Sequence, residues 1–338
     1  MELGKSNSKE MIFGRCMRIS VVVCVLICGL AGTGLIAQSK QGAQKKPAAS
    51  KPTMQVCGKA ALVNISPGSP KQGSLVLVRV WSMKHLDEVT AAWDGNVIPI
   101  WRTLAWVMMP NGMDWWEGLF GVDLENEVGK HDLKIADKVS GEGVESCNLS
   151  IVVSDGGFAT EKLTVAPQFV EPNAEQLARA QEESKRLHEI YATVTPEKLW
   201  NGRFRIPLTG AKTGGNFGKR RVLNGEPSSP HSGVDFPAPT GTHVHAAQRG
   251  RVVLAEPLYF SGNTVVVDHG LGVYTFYGHL SAIGVKVGDS VEAGAVLGKV
   301  GATGRVTGPH LHWGLEVNRA RVNALDITKI QSLGMRGN

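Results

Sequence analysis

Short apolar or alternating runs, separated by glycine and proline turns, restrict this chain to a mainly β fold. Beyond residue 200 these runs are THVHAA, GRVVLAE, NTVVVDHG, VYTFYGHL and HLHWGLEV. Apolar and polar residues that alternate over about four to eight positions predict half-buried strands, and clusters of glycine or proline predict the turns between them. The sequence therefore predicts a β-rich domain over residues 201–330.

A second set of such runs occupies residues 55–166. About seven short runs, with Cys57 before the first and Cys147 at the start of the last, predict an immunoglobulin-like β-sandwich. Between the two β regions, EPNAEQLARAQEESKRLHEIYATV has apolar residues at helical spacing. Residues 167–200 are therefore predicted to form a helical linker.

The first 37 residues have the pattern of an export signal. Basic residues between positions 5 and 18 precede the apolar run ISVVVCVLICGL, and small residues near Ala37 permit cleavage. The alternative is an uncleaved signal anchor in the membrane, because the stretch from Ile19 to Ala37 is just long enough to span a bilayer. Both alternatives place the rest of the chain in the periplasm, the cell envelope or the extracellular space. Residues 38–54 are polar and rich in lysine, alanine and proline, and predict a flexible linker.

In an exported chain, the cysteines predict one disulfide. Of the five cysteines, three lie in the first 28 residues, which leaves Cys57 and Cys147 for the folded part. An even number in an exported chain favours pairing of these two. The alternative is two unpaired buried thiols.

Charge gives a weaker indication of the partner. The formal net charge is +6, and an excess of this sign favours an anionic partner such as a membrane surface, nucleic acid or bacterial cell wall. Part of the charge lies in the leader and the linker, so it says little about the folded domains. The sequence contains no nucleic-acid-binding motif, and nucleic acid is not among the predicted partners. We expect a monomer.

Histidines are concentrated in the C-terminal domain. Seven of the ten lie between positions 231 and 312. His231 and Asp235 delimit HSGVD, whereas HVH and HLH each place two histidines on one face of a strand. Two imidazoles and one carboxylate leave the fourth position of a tetrahedral zinc open, as hydrolysis requires. The spacing predicts a metallohydrolase but leaves HVH and HLH as equal candidates.

Three segments carry a resemblance that separates these candidates. HSGVDFPAPTGTHVHAAQRGRVV, GNTVVVDHGLGVYTFYGHLS and VKVGDSVEAGAVLGKVGATGRVTGPHLHWGLEVN closely resemble the lysostaphin-type (LytM-like) zinc metallopeptidases, which cleave peptide bonds in bacterial peptidoglycan. The resemblance runs through most of residues 203–318. It implies a C-terminal peptidase domain with the duplicated hybrid motif. It also implies an exported zinc-dependent endopeptidase that acts on peptidoglycan cross-links or stem peptides.

The resemblance also implies a role for particular residues. One Zn²⁺ ion would be bound by His231, Asp235 and His312, and the catalytic histidines would be His279 and His310. One of these two would be the general base and the other would stabilise the tetrahedral intermediate, and the resemblance leaves that division open.

Other residues of the C-terminal domain fall outside these roles. His243 and His245 depart from the usual family pattern and are expected at the rim of the site, and His269 is expected to be structural. Asn216, in GGNFG, lies where the family has a groove-forming loop.

The sequence leaves two alternatives to an active peptidase. Some relatives have lost ligands and activate other wall hydrolases, so a catalytically inactive regulator is one alternative. The other is a carrier module, because VKVGDSVEAGAVLGKVG also resembles the hammerhead of biotinyl and lipoyl domains. Lys299 does not lie at a hairpin tip as those domains require, and export would separate the chain from its ligase. The N-terminal sandwich is interpreted as a wall-binding module, an occluding domain or a spacer.

Overall fold

The computed structural model describes residues 51–59, 61–103, 114–163, 173–211, 214–227 and 229–330. The predicted export signal and most of the predicted linker of residues 38–54 lie outside these ranges. Within them, no helix is both long enough and apolar enough to cross a membrane.

Two antiparallel sheets make up residues 53–153. Their strands are β1 Thr53–Cys57, β2 Ala61–Ser66, β3 Leu75–Ser82, β4 Leu86–Trp93, β5 Asn96–Ile98, β6 Ile100–Arg102, β7 Asp114–Gly121, β8 Gly129–Val139 and β9 Val144–Val153. One sheet has the order β1-β2-β3-β7-β6 and the other the order β5-β4-β8-β9. We call residues 53–163 the N-terminal β region.

Alternation along the strands gives these sheets a common core. In β2, every second residue is buried, as expected of a strand with one face in the interior. Inward side chains of both sheets, such as Val63, Val78, Phe120, Leu133 and Ile151, belong to one apolar cluster. The β content predicted for this region is confirmed, and its assignment as an immunoglobulin-like sandwich remains a prediction.

A disulfide joins the two sheets. Cys57 ends β1 and Cys147 lies in β9, and their Cα atoms are 5.4 Å apart across the bond. This is the pair that the cysteine count favours. The bond closes a loop with a sequence separation of 90 residues.

Reduction of this disulfide is expected to lower the free energy of unfolding by about 4 kcal/mol, because the bond limits the conformational entropy of the unfolded chain. Urea unfolding with and without reductant measures the change. A Cys57→Ala, Cys147→Ala double variant is the control, and its unfolding midpoint should not respond to reductant. Equal midpoints for the oxidised and reduced wild-type protein would contradict the expectation.

A single long helix, α1 Ala174–Ala192, follows the N-terminal β region. It begins at a capping box, in which Asn173 accepts from the backbone of Gln176 and the Gln176 side chain accepts from the backbone of Asn173. Leu187, Ile190 and Tyr191 pack against a small apolar cluster of the C-terminal sheet. The helix lies within the segment predicted to be helical, and its role as a linker remains a prediction.

The C-terminal part is built on a nine-stranded sheet. A small sheet of β10 Thr160–Leu163, β11 Arg220–Leu223 and β12 Glu226–Pro227 precedes it. The strands of the large sheet are β13 Gly233–Pro237, β14 His243–His245, β15 Gly250–Leu258, β16 Gly262–Asp268, β17 Val273–Ile283, β18 Ser290–Val291, β19 Val296–Val300, β20 His310–Val317 and β21 Ala320–Val322. The main path is β13-β20-β17-β16-β15-β18, and a one-turn helix, α2 Ala324–Ile327, follows β21.

The N-terminal β region packs directly against the C-terminal sheet. Leu77 and Leu119 belong to the same apolar cluster as Trp200 and Leu315. At the edge of this contact, the Arg321 guanidinium binds the carboxylate of Asp123 at 2.7 Å. The two parts therefore share a continuous core and are not connected by α1 alone.

Candidate metal centre

Strand pairing brings the predicted ligands together. Asp235 on β13 lies directly opposite His312 on β20, and His231 lies in the loop that enters β13. On the other side of β20, His312 is opposite Gly278 of β17. The antiparallel register thus brings together His231 and His312, which are about 80 positions apart in the chain.

The three donor atoms form a compact triangle. The Nε2 atom of His231 lies 3.0 Å from the Nδ1 atom of His312 and 3.0 Å from Oδ1 of Asp235. The Asp235 Oδ1 to His312 Nδ1 distance is 3.2 Å. Donor atoms around one tetrahedral zinc lie about 3.3 Å apart, because each bond is about 2.0 Å long. Within the described residues, this is the one group of acidic, histidine or cysteine side chains close enough to hold a metal ion.

Hydrogen bonding fixes which atoms face the centre. The Nδ1 atom of His231 lies 3.1 Å from the carbonyl oxygen of Asn216, so a neutral ring that donates from Nδ1 carries a lone pair on Nε2. That lone pair faces the Asp235 carboxylate and the Nδ1 atom of His312. Such groups repel one another unless a cation or a proton lies between them. The donor set therefore fits a divalent metal of the zinc type.

Burial and charge favour the ligand forms that bind metals. Burial raises the pKa of Asp235, but the approach of the His231 and His312 rings outweighs it and holds that pKa well below the usual range. Burial also lowers the pKa of His312, with the hydrogen bond to Asp235 opposing the shift. A carboxylate and a neutral imidazole are therefore present near neutral pH, as metal binding requires.

A β-bulge directs His279 toward this triangle. Asn263 pairs with Leu280 and Val265 with Tyr277, so two residues of β17, Gly278 and His279, are opposite a single residue of β16. His279 has a φ of 62°, in the left-handed region. Bulges of this kind bend a strand and redirect a side chain. The His279 ring lies 5.8 Å from the ring of His312, measured between centroids.

His279 and His310 form a second pair of imidazoles beside the donors. Their ring centroids are 4.8 Å apart, and the Nε2 atom of His310 lies 3.6 Å from Oδ1 of Asp235. The Nδ1 atom of His279 lies 2.9 Å from the carbonyl oxygen of Thr303, and the Nδ1 atom of His310 lies 2.8 Å from the carbonyl oxygen of Gly308. Donation from both Nδ1 atoms leaves both Nε2 atoms with a lone pair.

Burial controls the protonation of His279. Burial, together with the nearby His312 ring, lowers its pKa to about 3. The ring is therefore neutral near pH 7. The arrangement as a whole combines three candidate metal donors with two adjacent imidazoles.

The sequence of this part matches a known family. Residues 229–324 match the sequence model of Peptidase family M23. These residues form an M23 domain. The prediction of a C-terminal peptidase domain is thereby confirmed.

Curated relatives match about a third of this chain. Peptidoglycan DD-endopeptidase ShyA of Vibrio cholerae is 47% identical over 97 residues, which are 29% of this chain and 23% of ShyA. Peptidoglycan DD-endopeptidase ShyC of the same organism is 38% identical over 133 residues, which are 38% of this chain and 30% of ShyC. The chain therefore spans less than a third of the length of either relative.

A solved structure resembles a larger part of the chain. It is a candidate peptidase M23 from Pseudomonas aeruginosa, 28% identical, and the match covers 77% of this chain and 95% of that one with a TM-score of 0.56. The similarity thus extends well beyond the M23 domain.

The histidines outside the predicted site have other surroundings. His243 and His245 lie on β14, which pairs with β19, and the Nδ1 atom of His245 lies 2.9 Å from the carbonyl of Gly294. His269 is fully buried, and its Nε2 atom lies 2.7 Å from the hydroxyl of Thr275. The structure does not bring these three into the donor triangle.

Asn216 contacts two of the predicted ligands, a role that the sequence did not assign to it. Besides its carbonyl, which faces His231, its side-chain Nδ2 donates to Oδ2 of Asp235 at 3.3 Å. The residue has a φ of 83°, a conformation that asparagine adopts more readily than most residues. An asparagine in a glycine-rich turn shortly before a ligand was the available signal, although the resemblance suggested only a groove-forming loop.

The Asn216→Gly variant is expected to bind zinc about 10-fold more weakly, since loss of a partner that orients a ligand typically costs about 10- to 100-fold in affinity. Glycine adopts the left-handed conformation without strain, so only the amide group is removed. Competition with a chromogenic chelator measures the affinity. Asn224→Gly is the matched control, because Asn224 also has a positive φ, 51°, and lies in an exposed turn. Equal affinities for the two variants would contradict the role.

Proposed function

We propose that this chain is an exported zinc-dependent endopeptidase that hydrolyses peptide bonds in bacterial peptidoglycan. The single observation that carries the proposal is the triangle of donor atoms on His231, Asp235 and His312, with separations of 3.0, 3.0 and 3.2 Å. Two imidazoles beside a three-donor metal centre are the components that hydrolysis of an amide requires.

One zinc ion would be held by His231, Asp235 and His312. When bound there, zinc polarises the peptide carbonyl and lowers the pKa of a coordinated water to about 7. Asp235 supplies the negative charge of the ligand set, and Asn216 orients both Asp235 and His231.

His279 and His310 are proposed to handle the protons. Each ring donates from Nδ1 to a backbone carbonyl, which fixes the ring and leaves Nε2 free to accept a proton. One Nε2 atom takes the proton from the attacking water, and the other ring, in its protonated form, donates from Nε2 to the negatively charged oxygen of the tetrahedral intermediate. The ring that takes the proton from the water then returns it to the leaving amine.

The relatives indicate the bond that is cleaved. ShyA and ShyC carry the name peptidoglycan DD-endopeptidase. We therefore assign D,D peptide cross-links as the substrate and the cell envelope as the place of action. A catalytically inactive regulator is less favoured, because all five predicted site residues are present and adjacent.

Digestion of purified, cross-linked peptidoglycan tests this function. Wild-type protein supplied with zinc is expected to release peptides with new amino termini at D,D cross-links, identified by mass spectrometry. A chelator should stop the release, and added zinc should restore it. Release of glycan fragments alone, with every peptide bond intact, would show that the protein is not a peptidase.

A further inference from the structure

The residues that orient the metal ligands lie on one loop, residues 215–219, which we call the Phe217 loop. The backbone N–H of Gly218 donates to the carbonyl oxygen of His231 at 2.7 Å. The backbone N–H of His231 donates to the carbonyl oxygen of Lys219 at 2.9 Å. The backbone N–H of Asp235 donates to Gly215 at 3.3 Å. With the two contacts of Asn216, this loop sets the position of two of the three ligands.

The Phe217 loop is packed against the N-terminal β region. The ring of Phe217 meets the ring of Phe158 edge to face, with centroids 5.9 Å apart. A Cβ atom on Gly218 would lie 2.2 Å from the Phe158 ring, and one on Gly73 would lie 2.4 Å from the Phe217 ring. Both glycines are therefore needed for this close approach, and Phe217 fits between Gly73 and Phe158.

Phe158 is itself held by the sheets behind it. The backbone N–H of Gly156 donates to the side chain of Gln72 at 3.2 Å, and the same side chain donates to the carbonyl of Asn126 at 2.6 Å. After Phe158, the chain enters β10, which pairs in parallel with β11 directly behind the Phe217 loop. The backbone N–H of Arg220 donates to Ala159 at 3.0 Å. A continuous set of contacts thus connects the N-terminal β region with His231 and Asp235.

We propose that the N-terminal β region positions the metal centre, and that Phe158 and Phe217 are the positioning residues through which it does so. Under the interpretation of this region as an occluding domain, its removal would increase activity. The contacts of Phe158 and Phe217 predict that removal of the N-terminal β region lowers activity. Without that region the Phe217 loop loses this support, and Asn216 loses its fixed position. This proposal rests on the proposed function, since it assigns a support to the same metal centre.

Zinc affinity of the full chain tests the proposal. Phe158→Ala is expected to bind zinc about 10-fold more weakly than wild type in competition with a chromogenic chelator, as when an orienting partner of a ligand is lost. Trp81→Ala is the matched control. Trp81 is a half-buried ring of the same region that stacks on Trp115 at 5.3 Å, and its loss should leave zinc affinity unchanged. Thermal unfolding of both variants measures the general loss of stability.

The outcomes separate positioning from stability. Weaker zinc binding in Phe158→Ala alone supports the proposal, and equal affinity of Phe158→Ala and wild type overturns it. If Trp81→Ala also binds zinc more weakly by the same factor, the proposal is overturned, because the loss of zinc affinity would then reflect the general loss of stability. If Phe158→Ala does not fold, Phe158→Leu is measured with the same criteria. Hydrolysis is not the readout, so a wild-type protein that binds zinc but cleaves nothing refutes the proposed function and leaves this test intact.

Discussion

The His312→Ala variant is expected to lose both zinc and hydrolysis. His312 supplies one of the three donor atoms, and its Nδ1 atom lies within 3.2 Å of the other two. Loss of a residue that merely orients a ligand costs about 10- to 100-fold in affinity, so loss of the ligand itself should cost at least about 100-fold. Zinc content after dialysis and the release of amino termini from peptidoglycan are the two measurements.

The matched control for His312→Ala comes from the other pair of histidines. His245→Ala removes an imidazole from HVH, which has the same spacing as HLH but lies on a strand paired with β19. This variant should retain one zinc per chain. Stoichiometric zinc in His312→Ala, or loss of zinc in His245→Ala, would show that the ligand set is wrong.

Substitution of either neighbouring imidazole should separate hydrolysis from metal binding. His310→Ala and His279→Asn are expected to retain zinc and to lose about 10²- to 10⁴-fold in the rate of hydrolysis, the usual contribution of general acid–base groups. Asparagine is chosen at position 279 because it tolerates the left-handed φ of 62° at the bulge. Metal analysis and initial rates on the same samples give both quantities.

The control for these two variants is a histidine remote from the centre. His188→Ala changes an exposed position of α1 and should keep both zinc and rate. A loss of zinc in His310→Ala or His279→Asn would place these residues among the ligands. Unchanged rates with zinc bound would remove them from the mechanism.

Local pattern predicted the strands but could not choose between the two histidine pairs. Alternation along a strand places His310 and His312 on one face, and it does the same for His243 and His245. What distinguishes them is the partner strand, since β20 pairs with the strand that carries Asp235 and β14 does not. Strand pairing brings together residues that are far apart in the chain, and the local spacing of histidines does not reveal it. The resemblance to a family indicated that HLH, and not HVH, belongs to the site.

Two other features of the centre depend on backbone conformation. His279 reaches the site because two residues of β17 are opposite one of β16, and the register of a bulge is set by the partner strand. Asn216 contacts two of the predicted ligands and has a positive φ, and GGNFG does not fix which residue of the loop takes that conformation. The packing of Phe217 on Phe158 could not be predicted either, because the hydrophobic pattern of one segment does not show which distant segment it contacts.

One zinc ion, held by His231, Asp235 and His312, is proposed to make this chain a peptidoglycan endopeptidase. The most direct test is a titration of metal-free protein with zinc, in which bound zinc and release of amino termini from purified peptidoglycan are measured in the same samples. Release is expected to rise in proportion to bound zinc and to stop rising at one ion per chain, and Asp235→Ala is expected to release nothing. Release that is independent of zinc, or equally fast with Asp235→Ala, would contradict this expectation.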